Sequence, residues 1–413
     1  MLSAGNDKER EEGMNARKTV FLIADGMGDW PVDELGGKTP MEAADTPHMD
    51  ALAREGVVGL CRTIPEGMPP GSDIANMALL GCDPAMHHTG RGPIEAAAQG
   101  LVLEADDLVW RCNLVRVSSL EPDGVMQDYS AGHIDTPTAT ALVEMLQREL
   151  GGTDAVFHPG VQYRHLVVQP GRVRAAEAAL AIRPPHDILD QTLGPDLAAY
   201  QHCPELWRVV REAAVLLGNA ERNASQANAV WLWGQGRPLH LPDFQDRFGL
   251  TGAVISAVDL VKGLGRAMGM AVLDVPGATG YLDTNYAGKV AAALDFLKQG
   301  DFVFLHVEAP DECGHQGGLD NKVRAIADFD AQVVGPIRDG LRGLDVAILV
   351  ACDHFTPLIK RTHVSDPVPF LFWHADAKAS GVPSFSEARA ASSGLMLERG
   401  EDLLPWALQR SAL

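Results

Sequence analysis

The chain has 413 residues, of which 46% are hydrophobic and 22% are charged, and its formal net charge is −21. This is the composition of a folded globular protein rather than a disordered one, and the length predicts two domains. The negative charge argues against nucleic acid or an anionic membrane as the main partner. A small anionic substrate stays open, because a local basic pocket or bound cations can override the global charge.

The six cysteines are scattered without a C-x-x-C spacing. Reduced thiols are therefore the simplest interpretation, and a cysteine-based zinc site is not favoured. Residues 1–17 are mostly polar and charged and are predicted to be a flexible leader, not a signal peptide. No apolar run approaches the length of a membrane span. We expect a soluble, cytoplasmic protein, and the sequence leaves its oligomeric state open, a homo-oligomer included.

The first elements alternate between strand and helix. Residues 18–25 form an apolar run that predicts a buried strand with Asp25 at its carboxyl end. Thr46 is predicted to cap a helix that begins at Pro47, and a second strand follows at 57–61. This alternation predicts a mostly parallel sheet, and ligands bind at the carboxyl ends of the strands in such sheets.

Ser72 follows an irregular loop at 66–71 that contains two prolines. The residues after it have a helical pattern, so Ser72 is predicted to lie in the first turn of a helix. Unpaired backbone N–H groups and the positive end of the helix dipole favour an anion there. An ordinary helix-capping serine is the alternative explanation of the same pattern.

The pattern changes between residues 106 and 244. The elements predicted there are strands at 110–117 and 164–169 and helices at 138–150, 174–182 and 207–229. We interpret residues 106–244 as an α+β domain inserted into the first one, with the role of a lid and substrate-binding domain. Residues 18–105 and 245–413 then form the outer, metal-binding domain.

The strand–helix alternation returns beyond residue 250. Its predicted elements are helices at 255–262, 285–300 and 322–338 and strands at 271–274, 302–308 and 345–353. The predicted fold class is therefore α/β, with a mostly parallel sheet flanked by helices and an inserted α+β domain.

Three strands of the outer domain lead into side chains that can bind metal. These side chains, together with one histidine in a later loop, are Asp25, Asp311, His315, Asp353, His354 and His363. We predict that Asp311 and His315 lie in a loop, because Pro310 precedes them and a glycine separates them. A strand-end turn at Asp353 and a surface histidine at His363 are the alternatives for single residues. Repetition at strand ends favours a metal centre.

Aspartate and histidine without cysteine suit Mn²⁺, Zn²⁺ or Mg²⁺. With Ser72 included, the seven candidates are too many for one ion, so we predict two. Two ions bridged by a phosphate are the usual arrangement for in-line phosphoryl transfer. One ion would activate the Ser72 hydroxyl as a nucleophile, and the other would hold the oxygens of the phosphoryl group.

Six motifs together resemble one known family. They are Asp25-Gly-Met-Gly-Asp29, Thr46-Pro-His-Met-Asp50, Gly71-Ser-Asp-Ile-Ala-Asn76, Gly90-Arg-Gly-Pro-Ile-Glu95, Asp311-Glu-Cys-Gly-His315 and Asp353-His354. The chain resembles the archaeal-type cofactor-independent phosphoglycerate mutases of the alkaline phosphatase superfamily, in motif order from about residue 18 to the C-terminus. The resemblance implies exchange of a phosphoryl group between the 2- and 3-positions of glycerate through a phosphoserine, without 2,3-bisphosphoglycerate.

The resemblance also divides the ligands between two divalent ions, of which Mn²⁺ is favoured over Zn²⁺, Mg²⁺ or Co²⁺. One ion is assigned Asp25, Ser72, Asp353 and His354. The other is assigned Asp311, His315 and His363.

Substrate contacts carry over from the family less directly. His133 resembles the substrate-facing histidine of the inserted domain, and Lys262 is assigned a catalytic role beside Ser72. The candidate clamps for phosphate and carboxylate are Arg91, Arg116, Arg164, Lys262 and Arg266. For each arginine, a solvated face or an ion pair is an equal alternative. His186 and Asp187 stay open.

Two departures and three alternatives accompany the resemblance. Cys82 stands where an aromatic residue is expected, and a sulfatase motif fails because Met86 occupies its arginine position.

A phosphohydrolase would let water attack the phosphoserine. A homoserine-kinase-like enzyme would use ATP, although the chain has no G-x-x-x-x-G-K-[ST] loop. A metal-stabilised binding protein without catalysis is the third alternative.

Overall fold

The structure is a computed structural model that describes residues 18–411, so the predicted leader at 1–17 lies outside the described residues. The chain divides into two compact units. Residues 18–88 and 241–411 form one, which we call the sheet unit, and residues 89–240 form the inserted unit. The first junction comes earlier than the predicted 105/106, because the helix Arg91–Ala98 packs on strands of the inserted unit.

The strands of the described residues are numbered in chain order. They are β1 Lys18–Ala24, β2 Val57–Cys61, β3 Leu108–Val117, β4 Met126–Asp128, β5 Val156–His158, β6 Arg164–Gln169, β7 Ala229–Gly236, β8 Gly252–Ile255, β9 Ala271–Val272, β10 Phe302–Val307, β11 Val346–Ala351, β12 Val368–Trp373 and β13 Met396–Leu397.

Eight strands form one sheet in the sheet unit, in the order β13-β2-β12-β11-β1-β10-β8-β9. The pairs from β11 through β1 and β10 to β8 are parallel, whereas β12 is antiparallel to both of its neighbours. Strands β10 and β11 are buried at every residue, as parallel strands covered on both faces are. This is the predicted mostly parallel α/β sheet.

Helices of the sheet unit connect these strands. Their bounds are Pro40–Ala43, Pro47–Glu55, Ser72–Leu79, Pro84–His87, Phe244–Phe248, Asp259–Ala267, Tyr286–Phe296, Ala309–Gln316, Leu319–Phe329, Gly335–Gly340, Glu387–Ser392 and Leu403–Ser411. The helix at Pro47 begins as predicted, but the Thr46 side chain does not cap it. The Asp330 carboxylate instead accepts hydrogen bonds from the backbone N–H groups of His48 and Met49. A residue far along the chain thus performs the capping role.

The inserted unit has an antiparallel sheet in the order β4-β3-β6-β5, with β7 paired to β3. Its helices are Arg91–Ala98, Thr136–Leu150, Ala175–Ala178, Gly194–Gln201 and Pro204–Leu217. Trp110, Trp231 and Tyr200 are fully buried in its core, and the Tyr200 hydroxyl donates a hydrogen bond to the Leu232 carbonyl, with the oxygens 2.6 Å apart. An α+β arrangement is therefore present in this unit.

Four sequence predictions of elements are wrong. Asp311 and His315 lie on the helix Ala309–Gln316, because a proline is tolerated in the first turn of a helix, where its missing N–H would have no partner. The helix predicted at 207–229 ends at Leu217, and β7 begins at Ala229. The helix predicted at 174–182 is limited to Ala175–Ala178. The helix predicted from residue 255 begins only at Asp259, after β8.

Candidate metal centre and nucleophile

The carboxyl ends of three neighbouring strands hold the predicted ligands. Strand β1 lies between β10 and β11, and all three are parallel, so their carboxyl ends meet at one edge. Asp25 directly follows β1, and Asp353 follows β11. Asp311 lies in the first turn of the helix after β10. The structure therefore brings the three carboxylates to the same edge of the sheet.

Asp311, His315 and His363 form the first group of side chains whose ligand atoms lie close enough to share an ion. The His315 Nε2 atom is 3.1 Å from Asp311 Oδ2 and 3.0 Å from His363 Nε2. His315 Nδ1 is 3.0 Å from the Arg361 carbonyl oxygen, to which it donates a hydrogen bond. Since Nδ1 then carries the proton, Nε2 presents a lone pair to a metal.

Asp25 belongs to two further groups, one with Asp311 and His354 and the other with His306 and Asp353. His354 Nε2 is 3.5 Å from Asp25 Oδ1 and 3.4 Å from Asp353 Oδ2. The rings of His354 and His363 lie 3.9 Å apart, centroid to centroid, and so connect these groups with the first one. All six of the predicted Asp and His ligands therefore belong to one continuous cluster.

The buried charges of this cluster fit divalent cations. Burial raises the pKa of Asp25 well above its usual value, and the charges of Asp353 and Asp311 raise it further. Burial also raises the pKa of Asp311, but hydrogen bonds from His315 and His363 outweigh it and hold that pKa well below its usual range. Asp25 Oδ1 is buried and has no hydrogen-bond partner among the described residues. Cations would compensate the carboxylates and occupy such atoms.

Ser72 is the first residue of the helix Ser72–Leu79, as predicted, and Gly71 precedes the helix in an extended conformation. The Ser72 Oγ atom is 3.0 Å from His354 Nε2. Asn76, one turn later and fully buried, donates from Nδ2 to the Ser72 carbonyl at 2.9 Å and to Asp353 Oδ2 at 2.8 Å. One amide therefore connects the helix of Ser72 to Asp353, and the Ser72 hydroxyl lies at the cluster.

Hydrogen bonds join the two loops that carry Asp25 and Asp353. The Asp353 Oδ1 atom accepts from the backbone N–H of Gly26 at 3.1 Å. The Thr356 hydroxyl donates to Asp311 Oδ1. Gly26 has φ = +58°, and a Cβ atom there would collide with Asp311 and Thr356. Only glycine fits this position, which explains the glycine after Asp25 in the first motif.

A buried ion pair supports the same loops from behind. The Lys322 Nζ atom is 2.7 Å from Asp29 Oδ2 and also donates to the carbonyl oxygens of Gly28 and Thr356. Lys322 is fully buried, and Asp29 is 2% exposed. Because removal of one member leaves the other charge buried and unpaired, such pairs are costly to break.

We expect Lys322→Met to lower the free energy of unfolding by about 3–5 kcal/mol, as breaking a buried pair does. Adding Asp29→Asn to this variant removes the unpaired carboxylate and is expected to restore part of the loss. Denaturant unfolding of the three proteins measures both effects. Equal stability of wild type and Lys322→Met would contradict this role.

Glu387 lies beside this pair and titrates near neutrality. Its carboxylate accepts from the backbone N–H of Asp29 at 3.1 Å and from the Thr39 hydroxyl at 2.7 Å. Burial raises the pKa of Glu387 to about 7. Between the usual value near 4.5 and this value, the folded protein binds a proton that the unfolded chain has lost. The stability that this carboxyl contributes is present below about pH 4.5 and is lost as the pH rises through 7.

We expect Glu387→Gln, which is neutral at every pH, to be as stable as wild type at pH 5. At pH 8 the variant is expected to be more stable by about 2 kcal/mol, since one pKa unit corresponds to about 1.4 kcal/mol and partial exposure reduces the effect. Urea unfolding at the two pH values measures the difference. A difference that does not change with pH would refute the raised pKa.

Lys262 and Arg266 lie on the helix Asp259–Ala267, one turn apart. Lys262 Nζ is 2.7 Å from Asp274 Oδ1. Burial lowers the pKa of Lys289 to about 8, and the positive charge of Lys262 contributes to this decrease. Lys289 in turn donates from Nζ to the His306 carbonyl at 2.9 Å. Lys262 is partly buried, and the Arg266 side chain is exposed.

Arg91 and Arg164 belong to a cationic group in the inserted unit, and the group includes a third arginine that sequence reasoning missed. The Arg111 guanidinium lies 4.1 Å above the ring centroid of Trp233, and that of Arg91 lies 6.0 Å from it. Burial lowers the pKa of Arg111, and the charges of Arg91 and Arg164 lower it further, while Glu95, 2.9 Å from its Nε, opposes this. Three guanidinium groups beside one carboxylate leave an excess of positive charge in this part of the inserted unit.

Arg116 and His133 lie elsewhere in the inserted unit. Arg116, farther along β3 than Arg111, is exposed and donates to Gln226 Oε1 at 2.9 Å. His133 has φ = +51° and is exposed at the end of a turn that the Asp128 carboxylate organises. Within residues 18–411, neither side chain has a hydrogen bond, ion pair or ring contact with Arg91, Arg111 or Arg164. The structure therefore places only two of the predicted arginines of this unit together.

His186, whose role the sequence left open, lies beside the cationic group. Its ring is 5.5 Å from that of Trp233 and 6.2 Å from that of Tyr129. Cys82 is fully buried, as expected for a small apolar residue in place of an aromatic one.

None of the helices formed by residues 18–411 is long and apolar enough to cross a membrane.

Comparisons with known proteins identify relatives of the chain. The family description "2,3-bisphosphoglycerate-independent phosphoglycerate mutase" matches residues 53–223. A Geobacter sulfurreducens protein named "Probable 2,3-bisphosphoglycerate-independent phosphoglycerate mutase" is 46% identical over 95% of this chain and 100% of its own length. A Methanosarcina acetivorans protein with the name "2,3-bisphosphoglycerate-independent phosphoglycerate mutase" is 45% identical over 94% of this chain and 98% of its own.

Solved structures agree with these relatives. The PH0037 protein of Pyrococcus horikoshii superposes with a TM-score of 0.80 at 30% identity, over 96% of this chain and 98% of that one. The cofactor-independent phosphoglycerate mutase of Thermoplasma acidophilum superposes with a TM-score of 0.65 at 26% identity, over 96% and 100%.

The sheet and the cluster at its carboxyl edge define an α/β protein with a mostly parallel sheet and groups of side chains able to bind metal ions. The chain belongs to the 2,3-bisphosphoglycerate-independent phosphoglycerate mutase family, whose members are isomerases. The resemblance found in the sequence motifs and the predicted fold class are thereby confirmed.

Proposed function

We propose that the chain interconverts 2-phosphoglycerate and 3-phosphoglycerate, with Ser72 as the temporary carrier of the phosphoryl group. The observation that carries this proposal is the position of the Ser72 hydroxyl, at the first turn of a helix and 3.0 Å from His354 Nε2 within the ligand cluster. A serine that only capped a helix would have no reason to contact a histidine that belongs to a cluster of six convergent Asp and His side chains.

Two divalent ions complete this site in our proposal, Mn²⁺ before Zn²⁺, Mg²⁺ or Co²⁺. Asp25, Ser72, Asp353 and His354 would hold one, and the other would be held by Asp311, His315 and His363. Bound cations lower the pKa of a nearby hydroxyl and neutralise phosphate oxygens. Such ions need ionised carboxylates, and bound cations would favour the ionised form of Asp25 against the burial that raises its pKa.

The chain's own residues then account for the transfer. The Ser72 oxygen forms a bond to phosphorus while the bond from phosphorus to the substrate oxygen breaks, and the glycerate leaves with a proton on that oxygen. The first turn of the Ser72 helix offers backbone N–H groups to the phosphoryl oxygens. Lys262 is proposed to contact the transferring group. Glycerate reorients, and its other hydroxyl takes the phosphoryl group back, so 2,3-bisphosphoglycerate is not required.

The inserted unit is proposed to bind the anionic groups of the substrate and to exclude water from the phosphoserine. Arg91, Arg111 and Arg164 carry the anion-binding role, since planar guanidinium groups suit carboxylate and phosphate. His133, Arg116 and Arg266 are further proposed contacts.

The experiment is phosphorus NMR of the purified protein with 3-phosphoglycerate and Mn²⁺, with no 2,3-bisphosphoglycerate added. We expect the 2-phosphoglycerate signal to rise to equilibrium with little inorganic phosphate. Inorganic phosphate alone would favour a phosphohydrolase. Turnover only with ATP and homoserine would favour a kinase, and no turnover of either kind would overturn the proposal.

Arg111→Met is expected to raise the KM for 3-phosphoglycerate about 10- to 100-fold, as the loss of a charged hydrogen bond does, with a smaller effect on kcat. Arg222→Met, at an exposed arginine of the inserted unit that pairs with Glu149, is the matched variant and is expected to leave KM unchanged. Steady-state kinetics of both variants measures the changes in KM and in kcat separately. An unchanged KM in Arg111→Met would remove the three-arginine group from substrate binding.

Cytoplasmic activity without a nucleic-acid or membrane partner is also proposed, in keeping with the acidic charge of the chain and its six cysteines, all buried and free. A homo-oligomer is compatible with this function.

A further inference from the structure

His306 is a buried histidine at the cluster that the predicted ligand set does not include. It lies on β10, next to the last residue of the strand, and it is 0% exposed. Its Nε2 atom is 3.0 Å from Asp25 Oδ2, and it forms a potential metal-binding group with Asp25 and Asp353.

Only one edge of this imidazole has a hydrogen bond. His306 Nδ1 is 3.2 Å from the Ser256 hydroxyl, which itself accepts from the backbone N–H of Val258. His306 Nε2 has no partner of hydrogen-bond geometry among the described residues, although Asp25 Oδ2 is near it. Buried polar atoms are rarely left in this way, so a core histidine would be expected to satisfy both edges.

The distance between the two atoms is that of neighbouring ligands on one ion. Donors that are each about 2.0–2.2 Å from a metal stand about 3 Å or slightly more apart. The 3.0 Å between His306 Nε2 and Asp25 Oδ2 fits this spacing, and the interaction lacks the direction of a hydrogen bond.

We propose that His306 Nε2 is a direct ligand of the ion held by Asp25 and Asp353. This inference rests on the metal centre of the proposed function and adds an eighth side chain to its ligands. His306 then donates its Nδ1 hydrogen to the Ser256 hydroxyl oxygen, which leaves the lone pair of Nε2 for the ion. An added imidazole makes the site richer in nitrogen, so it binds Mn²⁺, Co²⁺ or Zn²⁺ in preference to Mg²⁺.

Two variants at this position separate a ligand from a core residue. His306→Asn retains a polar group near Nδ1 but has no atom where Nε2 stands, whereas His306→Gln brings an amide oxygen to that place. We expect His306→Asn to bind Co²⁺ at least about tenfold more weakly by calorimetry, with a changed visible absorption of the bound ion. His306→Gln is expected to recover part of the affinity. His202→Asn, at an exposed histidine of the inserted unit, is the control.

A measurement on the wild-type protein does not depend on the folding of any variant. Pulsed electron paramagnetic resonance of the Mn²⁺-loaded protein counts the coordinated imidazoles, and we expect four, namely His306, His315, His354 and His363. Three would overturn the inference, and so would unchanged Co²⁺ affinity in His306→Asn. Weaker binding with an unchanged Co²⁺ spectrum would make His306 a positioning residue for Asp25 and equally overturn direct ligation. Active wild-type protein with three imidazoles would leave the proposed function intact, whereas failure of the wild type to bind any metal would overturn both.

Discussion

Ser72→Ala is expected to reduce kcat for phosphoglycerate interconversion by about 10⁴-fold or more, in the range found when a covalent nucleophile is removed. The Ser72 Oγ atom is 3.0 Å from His354 Nε2, and no other hydroxyl group of residues 18–411 is hydrogen-bonded to that nitrogen. The variant therefore has no hydroxyl that could replace Ser72. The helix Ser72–Leu79 begins without a side-chain cap from this serine, so the variant is expected to fold. Coupled enzyme assay and thermal unfolding measure the two effects.

Ser392→Ala is a suitable control for this prediction, because that exposed serine donates only to a carbonyl of its own helix. It is expected to retain wild-type kcat. Ser72→Ala with a kcat within tenfold of wild type would require another nucleophile or a protein without this chemistry. Mass spectrometry after rapid quenching provides an independent measurement, since wild type but not Ser72→Ala is expected to gain one phosphoryl group.

Asp311→Asn is the second change with a large expected effect. Asp311 belongs to the group with His315 and His363 and also to the group with Asp25 and His354. Loss of its charge therefore weakens both parts of the cluster, and we expect affinity for Mn²⁺ to fall at least about 100-fold, with a similar loss of kcat/KM at limiting metal. Calorimetric titration and activity as a function of Mn²⁺ concentration measure the two losses.

The matched variant for this prediction is Asp295→Asn, which alters an exposed ion pair with Lys298. It is expected to leave Mn²⁺ affinity unchanged. If Asp311→Asn bound Mn²⁺ as tightly as wild type, the shared position of Asp311 in the two groups would have no role in metal binding.

The sheet was predictable from sequence because its central strands are short apolar runs that end in carboxylates. Strand β10 and the strand starts of β1 and β11 were recovered closely. Helix bounds were less predictable where a proline stands in the first turn, as at Pro310, since the same residue begins a helix or continues a loop. Capping of the helix at Pro47 by Asp330 could not be predicted, because it depends on contacts between distant residues.

The cluster was predictable where its members stand in motifs at the end of a strand or the start of a helix, such as Asp25, Ser72 and Asp353. His306, Arg111 and Lys322 were missed. Each lies among buried neighbours within a strand or helix, where a single polar residue has many ordinary explanations. One signal was present for His306, since it is the single polar side chain in the apolar strand Phe302–Val307. Its meaning depends on the neighbouring strand, which only the fold supplies.

The place of β1 between β10 and β11 has a consequence for biosynthesis. Strand β1 finds both of its partners only after residue 351 has been synthesised. Until then, an apolar segment with at least one unpaired edge is exposed, which makes it a target for aggregation and for chaperones. We expect nascent chains that stop before β11 to lack any metal-binding ability. Binding of divalent metal would then begin only after β11 has been synthesised.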